Sequence, residues 1–128
     1  MLVYLEDKNF NIKNKTVHTE VKNGVFILCI VSKTCSACSR AKSMLELLSD
    51  REKRVTFGVV DIDQYPRVVD IFRDAGLAVT HTPFFAVFKM GIFIKTIKSH
   101  SMSSGVIESE LEVELSDRFS ALTDDDGW

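Results

Sequence analysis

The sequence predicts a single α/β domain with a central sheet and flanking helices. The first observation is a pair of short apolar runs, Val25-Phe26-Ile27-Leu28-Cys29-Ile30-Val31 and Val55-Thr56-Phe57-Gly58-Val59-Val60-Asp61. Both are rich in β-branched residues, too brief for helices, and continuous enough to be buried on both faces. The second is the segment between them, where Ala41, Met44, Leu45 and Leu48 recur at helical spacing opposite Arg40, Lys42, Ser43 and Glu46. Strand, amphipathic helix, strand is the pattern of an α/β unit. The third is length: 128 residues with 45% hydrophobic content suffice for one packed core.

Along the chain, a strand is expected over Leu2 to Leu5, then a loose helix through Val17 and Val21. The central strand covers 25–31, and a helix begins at or just beside Cys35. After the second strand, Pro66 sits where a first helical turn tolerates proline. Val68, Val69 and Phe72 form that helix's apolar face, and Gly76 ends it. Pro83 opens Phe84-Phe85-Ala86-Val87-Phe88, which turns at Lys89-Met90-Gly91 into Ile92-Phe93-Ile94-Lys95-Thr96-Ile97, a hairpin. Glu110 to Leu115 alternates like a strand, but Ile107, Leu111, Leu115 and Phe119 repeat every four residues, and Glu and Leu favour a last helix. The domain is expected to fill residues 1–122, with Thr123-Asp124-Asp125-Asp126-Gly127-Trp128 a solvated acidic tail over 123–128.

Composition narrows the function classes. A net charge of −2, with no stripe of Lys and Arg, gives no field to gather nucleic acid. Glu6 and Asp7 interrupt the N-terminal apolar stretch before it reaches the length of a secretory core, and no other run is long enough to span a bilayer, so no membrane partner is expected. Three cysteines are too few for a disulfide-stapled secreted scaffold and fit a thiol-reducing compartment, the cytoplasm. Without a secretion signal, the glycosylation pattern Asn14-Lys15-Thr16 carries no weight.

Cys35-Ser36-Ala37-Cys38, between a buried strand and a helix, is the chemistry-bearing motif. A helix N-terminus offers unpaired N–H groups and partial positive charge to an anion, and a thiolate is such an anion. Lowering a thiol pKa from about 8.5 to about 7 raises its ionised fraction at neutral pH from roughly 3% to about 50%, while lost nucleophilicity takes back about fivefold. More of the benefit comes from the return step, in which the low-pKa sulfur is a good leaving group. Cys35, at the solvent end, is therefore the expected nucleophile, and Cys38, one turn in, the expected resolving thiol. Lys33 and Arg40 either add positive field or are ordinary solvated side chains. A cysteine pair at this spacing is also half of a zinc site, but a structural zinc needs two further ligands. Cys29 lies in a strand and His18, His81 and His100 are scattered, so no metal and no cofactor are expected.

Leu5-Glu6-Asp7-Lys8-Asn9-Phe10, the run from Val25 to Cys38, Ile62-Asp63-Gln64-Tyr65-Pro66 and Thr82-Pro83-Phe84-Phe85-Ala86-Val87-Phe88-Lys89-Met90-Gly91 together resemble the thioredoxin family. The resemblance covers most of the chain and implies a thioredoxin fold, a central mixed sheet flanked by helices, with the Thr82-Pro83 bond cis beside the cysteine pair. Read without it, Pro83 is an ordinary strand-start proline. It also implies that Thr82 presents its backbone to an extended substrate segment, with Thr34 and Pro83 on the same side.

The departures from the family pattern are specific. Thr34 stands where a tryptophan is usual, Ser36-Ala37 where Gly-Pro is usual, and Ser99 where the family has a second substrate-face glycine. Cys29 aligns with the buried acid that assists proton transfer, and is either a partial substitute or a small apolar filler. The stretch from Pro66 through Gly76 and its following loop is about five residues longer than usual. The implied function is thiol-disulfide exchange with protein disulfide or dithiol clients, served by a reductase or another thiol electron donor. One alternative is a glutaredoxin-like, glutathione-dependent enzyme, against which the absence of a Gly-Gly-Asp stretch after the proline counts. Another is a thioredoxin-fold interaction module with little or no turnover.

Overall fold

The computed structural model describes residues 1–22, 24–97 and Ser109. The predicted last helix, the acidic tail, Ser99 and Trp128 lie outside the described residues. Within them, in chain order, are β1 (Leu2–Tyr4), a single 3-10 turn (Asp7–Asn9), β2 (Phe10–Lys13), β3 (Thr16–Thr19), β4 (Val25–Val31), α1 (Ser36–Arg51), β5 (Val55–Asp61), α2 (Arg67–Asp74), β6 (Phe84–Lys89) and β7 (Ile92–Ile97).

Every residue of β4 is buried, because both faces of the sheet are covered there and both edges are paired. It runs parallel to β5, with Val25 opposite Val55 and Val31 opposite Asp61. On its other side it runs antiparallel to β6, with Val25 opposite Lys89 and Ile30 opposite Phe84. The seven strands form one mixed sheet in the order β1-β5-β4-β6-β7-β3-β2.

Alternate residues of β4 point to opposite cores. Val25, Ile27, Cys29 and Val31 face α1, where Ala41, Met44, Leu45 and Leu48 pack on Phe57, Phe85 and Val87. Phe26, Leu28 and Ile30 face the second core, built on Phe10, Phe72, Phe84 and Phe88. The Phe72 ring meets Phe10 and Phe84 edge-on, at centroid distances of 6.1 and 6.3 Å, the arrangement aromatic quadrupoles favour. Helix α2 ends as expected at Gly76, whose φ of 84° no side chain opposes. The Gly76 and Leu77 amides donate to the carbonyls of Arg73 and Phe72, both at 2.9 Å, closing the helix in a Schellman motif. The loop beyond is held down where Leu77 and Val79 pack on the second core.

The loose helix expected through Val17 and Val21 is instead the hairpin β2–β3. Phe10 pairs with Thr19 and Ile12 with Val17, so the apolar positions repeat every two residues across two strands. Asn14 and Lys15 both have left-handed backbones, with φ of 52° and 62°, as a two-residue hairpin turn demands and Asn tolerates. Two valines four apart are a weaker pattern than this alternation. The open edge of β7 captures the hairpin, His18 pairing with Ile92 and the Thr19 amide donating to the Gly91 carbonyl at 2.8 Å.

At Gly58 the sheet has no room for a side chain. A Cβ there would lie 2.5 Å from Cζ of Phe26, a fully buried ring. Gly58→Ala is expected to destabilise the fold by about 1–3 kcal/mol through displacement of that ring, read as a lower urea midpoint with an unchanged m-value.

Candidate active site

The site is assembled where three chain segments leave the sheet. Strand β4 ends at Val31, and after Ser32-Lys33-Thr34 the chain turns into α1 with Cys35 as its N-cap residue. The cap side chain makes no hydrogen bond of its own, and the first turn of α1 carries no acidic residue. The positive pole of the helix is therefore not offset locally. The Cys38 amide donates to the Cys35 carbonyl at 3.2 Å, and the Cys35 amide to that of Ser32 at 3.4 Å. Cys35 and Cys38 are joined as a disulfide with Cα atoms 5.3 Å apart, within the ordinary span for such a bond. Cys35 is half-buried, whereas Cys38 is only 3% exposed, packed in the α1-side core.

The register places the second segment. Because Ile30 lies opposite Phe84, the antiparallel pairing carries Pro83 and Thr82 up beside Val31 and Ser32. The Thr82-Pro83 bond is cis, and the Thr82 and Ser32 hydroxyls lie 3.0 Å apart. Residues fifty positions apart in sequence are thus linked next to the cysteine pair.

The third segment is the loop between β5 and α2. The Asp63 carboxylate accepts a hydrogen bond from the Lys33 amide, and the Asp63 amide donates to the Asp61 carboxylate at 2.8 Å. Lys33 and Thr34 are exposed beside the disulfide. Cys35, Cys38, Thr34, Lys33, Thr82 and Pro83 accordingly come together at one end of the sheet.

Cys29 lies further down β4, fully buried in the same core as Cys38. Burial pushes its thiol up to about 12, against a smaller opposing pull from the Lys42 ammonium. It keeps its proton at neutral pH, and so cannot act there as an acceptor. Lys42 also lines a cleft of about 400 Å³ with Val31, Asp61 and Tyr65, at the carboxyl ends of the parallel strands, where open α/β sheets place their crevices. Ser32, Asp63, Asp61 and Lys42 were not singled out by sequence. The Asp-x-Asp spacing after a strand was the one available signal, since Asp favours turns that bond its own backbone. Among the described residues no three His, Cys, Asp or Glu side chains lie close enough together to hold a metal ion. No helix among them is long and apolar enough to cross a membrane.

No family model matches the sequence, and no curated protein does. Solved structures do. A thioredoxin from Malassezia sympodialis superposes with a TM-score of 0.63 at 19% identity, over 88% of this chain and 92% of that one. Thioredoxin from Fasciola hepatica gives 0.61 at 18% identity over 73% and 83%. The oxidised thioredoxin of Plasmodium falciparum gives 0.58 at 22% identity over 70% and 80%. The chain has the thioredoxin fold. With a Cys-x-x-Cys pair at the start of α1, it is thioredoxin-like in architecture and in the placement of its cysteines.

The raised Cys29 pKa has a signed consequence. Below pH 9 the thiol is protonated both folded and unfolded and stability does not depend on it. Between pH 9 and about 12 the unfolded chain loses that proton and the folded chain keeps it, so stability falls as pH rises. Subtracting the alkaline unfolding profile of Cys29→Ala from that of the wild type is expected to leave a falling limb confined to this window. In the native reduced protein, Cys29 is expected to escape iodoacetamide at pH 8 and to be alkylated once urea unfolds the chain, as read by peptide mass mapping.

Proposed function

We propose that the protein is a thiol-disulfide oxidoreductase that acts on protein disulfides through Cys35 and Cys38. The observation that carries this reading is the cysteine pair closed across the first turn of α1, its outer sulfur half-exposed and its inner one buried, with Thr82-Pro83 alongside. Cys35 is the thiol a client can reach, and it sits at the positive pole of a helix, which favours the thiolate.

In the reducing direction, the Cys35 thiolate attacks one sulfur of a client disulfide. The client S–S bond breaks, its other sulfur departs as a thiolate that takes up a proton, and a mixed disulfide forms. Cys38 loses its proton and attacks Cys35 of that mixed disulfide, closing the Cys35–Cys38 bond and releasing the second client thiol. Two electrons have passed to the client, and a thiol donor such as a reductase restores the dithiol. Thr82, Pro83 and Thr34 form the surface against which an extended client segment is placed. The three-cysteine composition supports work in a reducing compartment, the cytoplasm.

Cys35→Ser is expected to reduce insulin no faster than the chemical reductant alone, and Cys38→Ser to accumulate a client mixed disulfide visible on a non-reducing gel. An unchanged rate in Cys35→Ser would establish a binding module instead. Rapid turnover with glutathione as sole reductant would establish the glutaredoxin-like alternative. Such pairs span reduction potentials from about −270 to −120 mV, and equilibration against a glutathione buffer fixes the direction in which this one runs.

A further inference from the structure

We infer that Ser32 is a positioning residue, whose hydroxyl fixes Thr82 against the cysteine loop and so favours clients with an extended backbone over small disulfides; this rests on the oxidoreductase reading above. The stretch 78–83, which leads into β6, has few bonds of its own. Among the described residues its backbone makes no hydrogen bond: the last before it runs from the Leu77 amide to the Phe72 carbonyl, and strand pairing resumes at Phe84, opposite Ile30. Val79 packs on the second core, and the His81 ring lies 5.8 Å from that of Phe84. The Thr80 hydroxyl bonds its own neighbour, His81, at 3.3 Å. Among the described residues, the contact between the Ser32 and Thr82 hydroxyls, 3.0 Å apart, is the one hydrogen bond from this stretch to another segment.

Ser32 is bonded in both directions. Its carbonyl accepts from the Cys35 amide at 3.4 Å, in the turn that makes Cys35 the N-cap residue of α1, while its hydroxyl meets that of Thr82. The residue after it is held as well, the Lys33 amide donating to the Asp63 carboxylate. Ser32 is therefore itself anchored where it anchors Thr82. Ser32 and Thr82 are both half-buried, and truncating either side chain leaves the other hydroxyl without its protein partner.

The Thr82 backbone N–H and C=O have no hydrogen-bond partner among the described residues. An extended client segment can pair with them as an added strand does, and a peptide held there brings its disulfide to Cys35 in a fixed relation. Ser32 sets that relation, because it joins the residue that holds the client to the turn that holds the nucleophile. A small disulfide with no peptide backbone cannot exploit it. Orientation of reacting groups governs rate, but one neutral hydrogen bond limits the contribution of Ser32 to roughly two- to tenfold.

The test uses the full chain, reduced, against a disulfide-bridged peptide with extended flanks and against dithiobis-nitrobenzoate, an aromatic disulfide without a backbone. The ratio of the two second-order rates is read, so that changes in the reactivity of Cys35 itself cancel. Ser32→Ala is expected to lower this ratio roughly two- to tenfold, and Ser32→Thr, which keeps the hydroxyl, to hold it near the wild-type value. Thr82→Val is expected to lower it similarly, and Ser32→Ala/Thr82→Val no further than either change alone, because both remove one shared bond. Thr80→Val, the same exchange two residues away, leaves the ratio unchanged. A ratio unaltered by Ser32→Ala, rates that fall equally for both disulfides, or losses that add in the double variant overturn the proposal alone. No thiol release from the peptide by the wild type overturns the oxidoreductase reading and this proposal with it.

Discussion

Burial of β4 on both faces constrains everything else in this molecule. A strand covered on two sides can carry no unpaired polar side chain, and all seven of its residues are apolar or cysteine. Its backbone must then be paired on both edges, which requires β5 on one side and β6 on the other. Those pairings set the site. With Val31 opposite Asp61 and Ile30 opposite Phe84, the loops leaving β4 and β5 and the loop entering β6 meet at one end, whatever their sequences. A slip of one residue in the β4–β6 ladder would move side chains from one core to the other and part Ser32 from Thr82.

The two cysteines of the pair are made unequal by the helix they share. Three residues along α1 is nearly one full turn, so Cys38 follows Cys35 down the same side and enters the core where Ala41 and Leu45 continue the stripe. Cys35, at the cap, remains where the chain is still turning. The same periodicity that makes α1 amphipathic thus decides which sulfur is open to solvent. Anchoring is shared between helix and loops: the Lys33 to Asp63 and Ser32 to Thr82 hydrogen bonds tie the cysteine loop to both of its neighbours.

Elements with one dominant period were legible in the sequence. The buried runs of β4 and β5, the four-residue stripe of α1 and the β6–β7 hairpin with its Met90-Gly91 turn each follow from local pattern. The β2–β3 hairpin did not, because its turn, Asn14-Lys15, lacks the glycine that usually announces one. Its strands also show only two inward apolar residues, Phe10 and Val17. What holds it is the edge of β7, a partner more than seventy residues away that no local window contains. The site divides the same way. The cysteine pair and Thr82-Pro83 are visible as motifs, whereas Ser32, Asp61 and Asp63 acquire meaning only once the register brings their loops together.

The buried thiol beneath the site, Cys29, bears on how its electrostatics behave. A buried ionised acid would add a charge that solvent ions screen weakly. Cys29 instead holds its proton, so beneath Cys38 this face of β4 presents a neutral thiol among apolar side chains. The charges around Cys35 therefore include the helix pole, the exposed Lys33 and the Asp63 carboxylate bonded to the Lys33 amide. Charges in solvent are screened over about 8–10 Å at ordinary salt, which keeps their influence local to the disulfide and sensitive to ionic strength. Covering such a site would remove the water that screens these charges and strengthen their interaction with the sulfur.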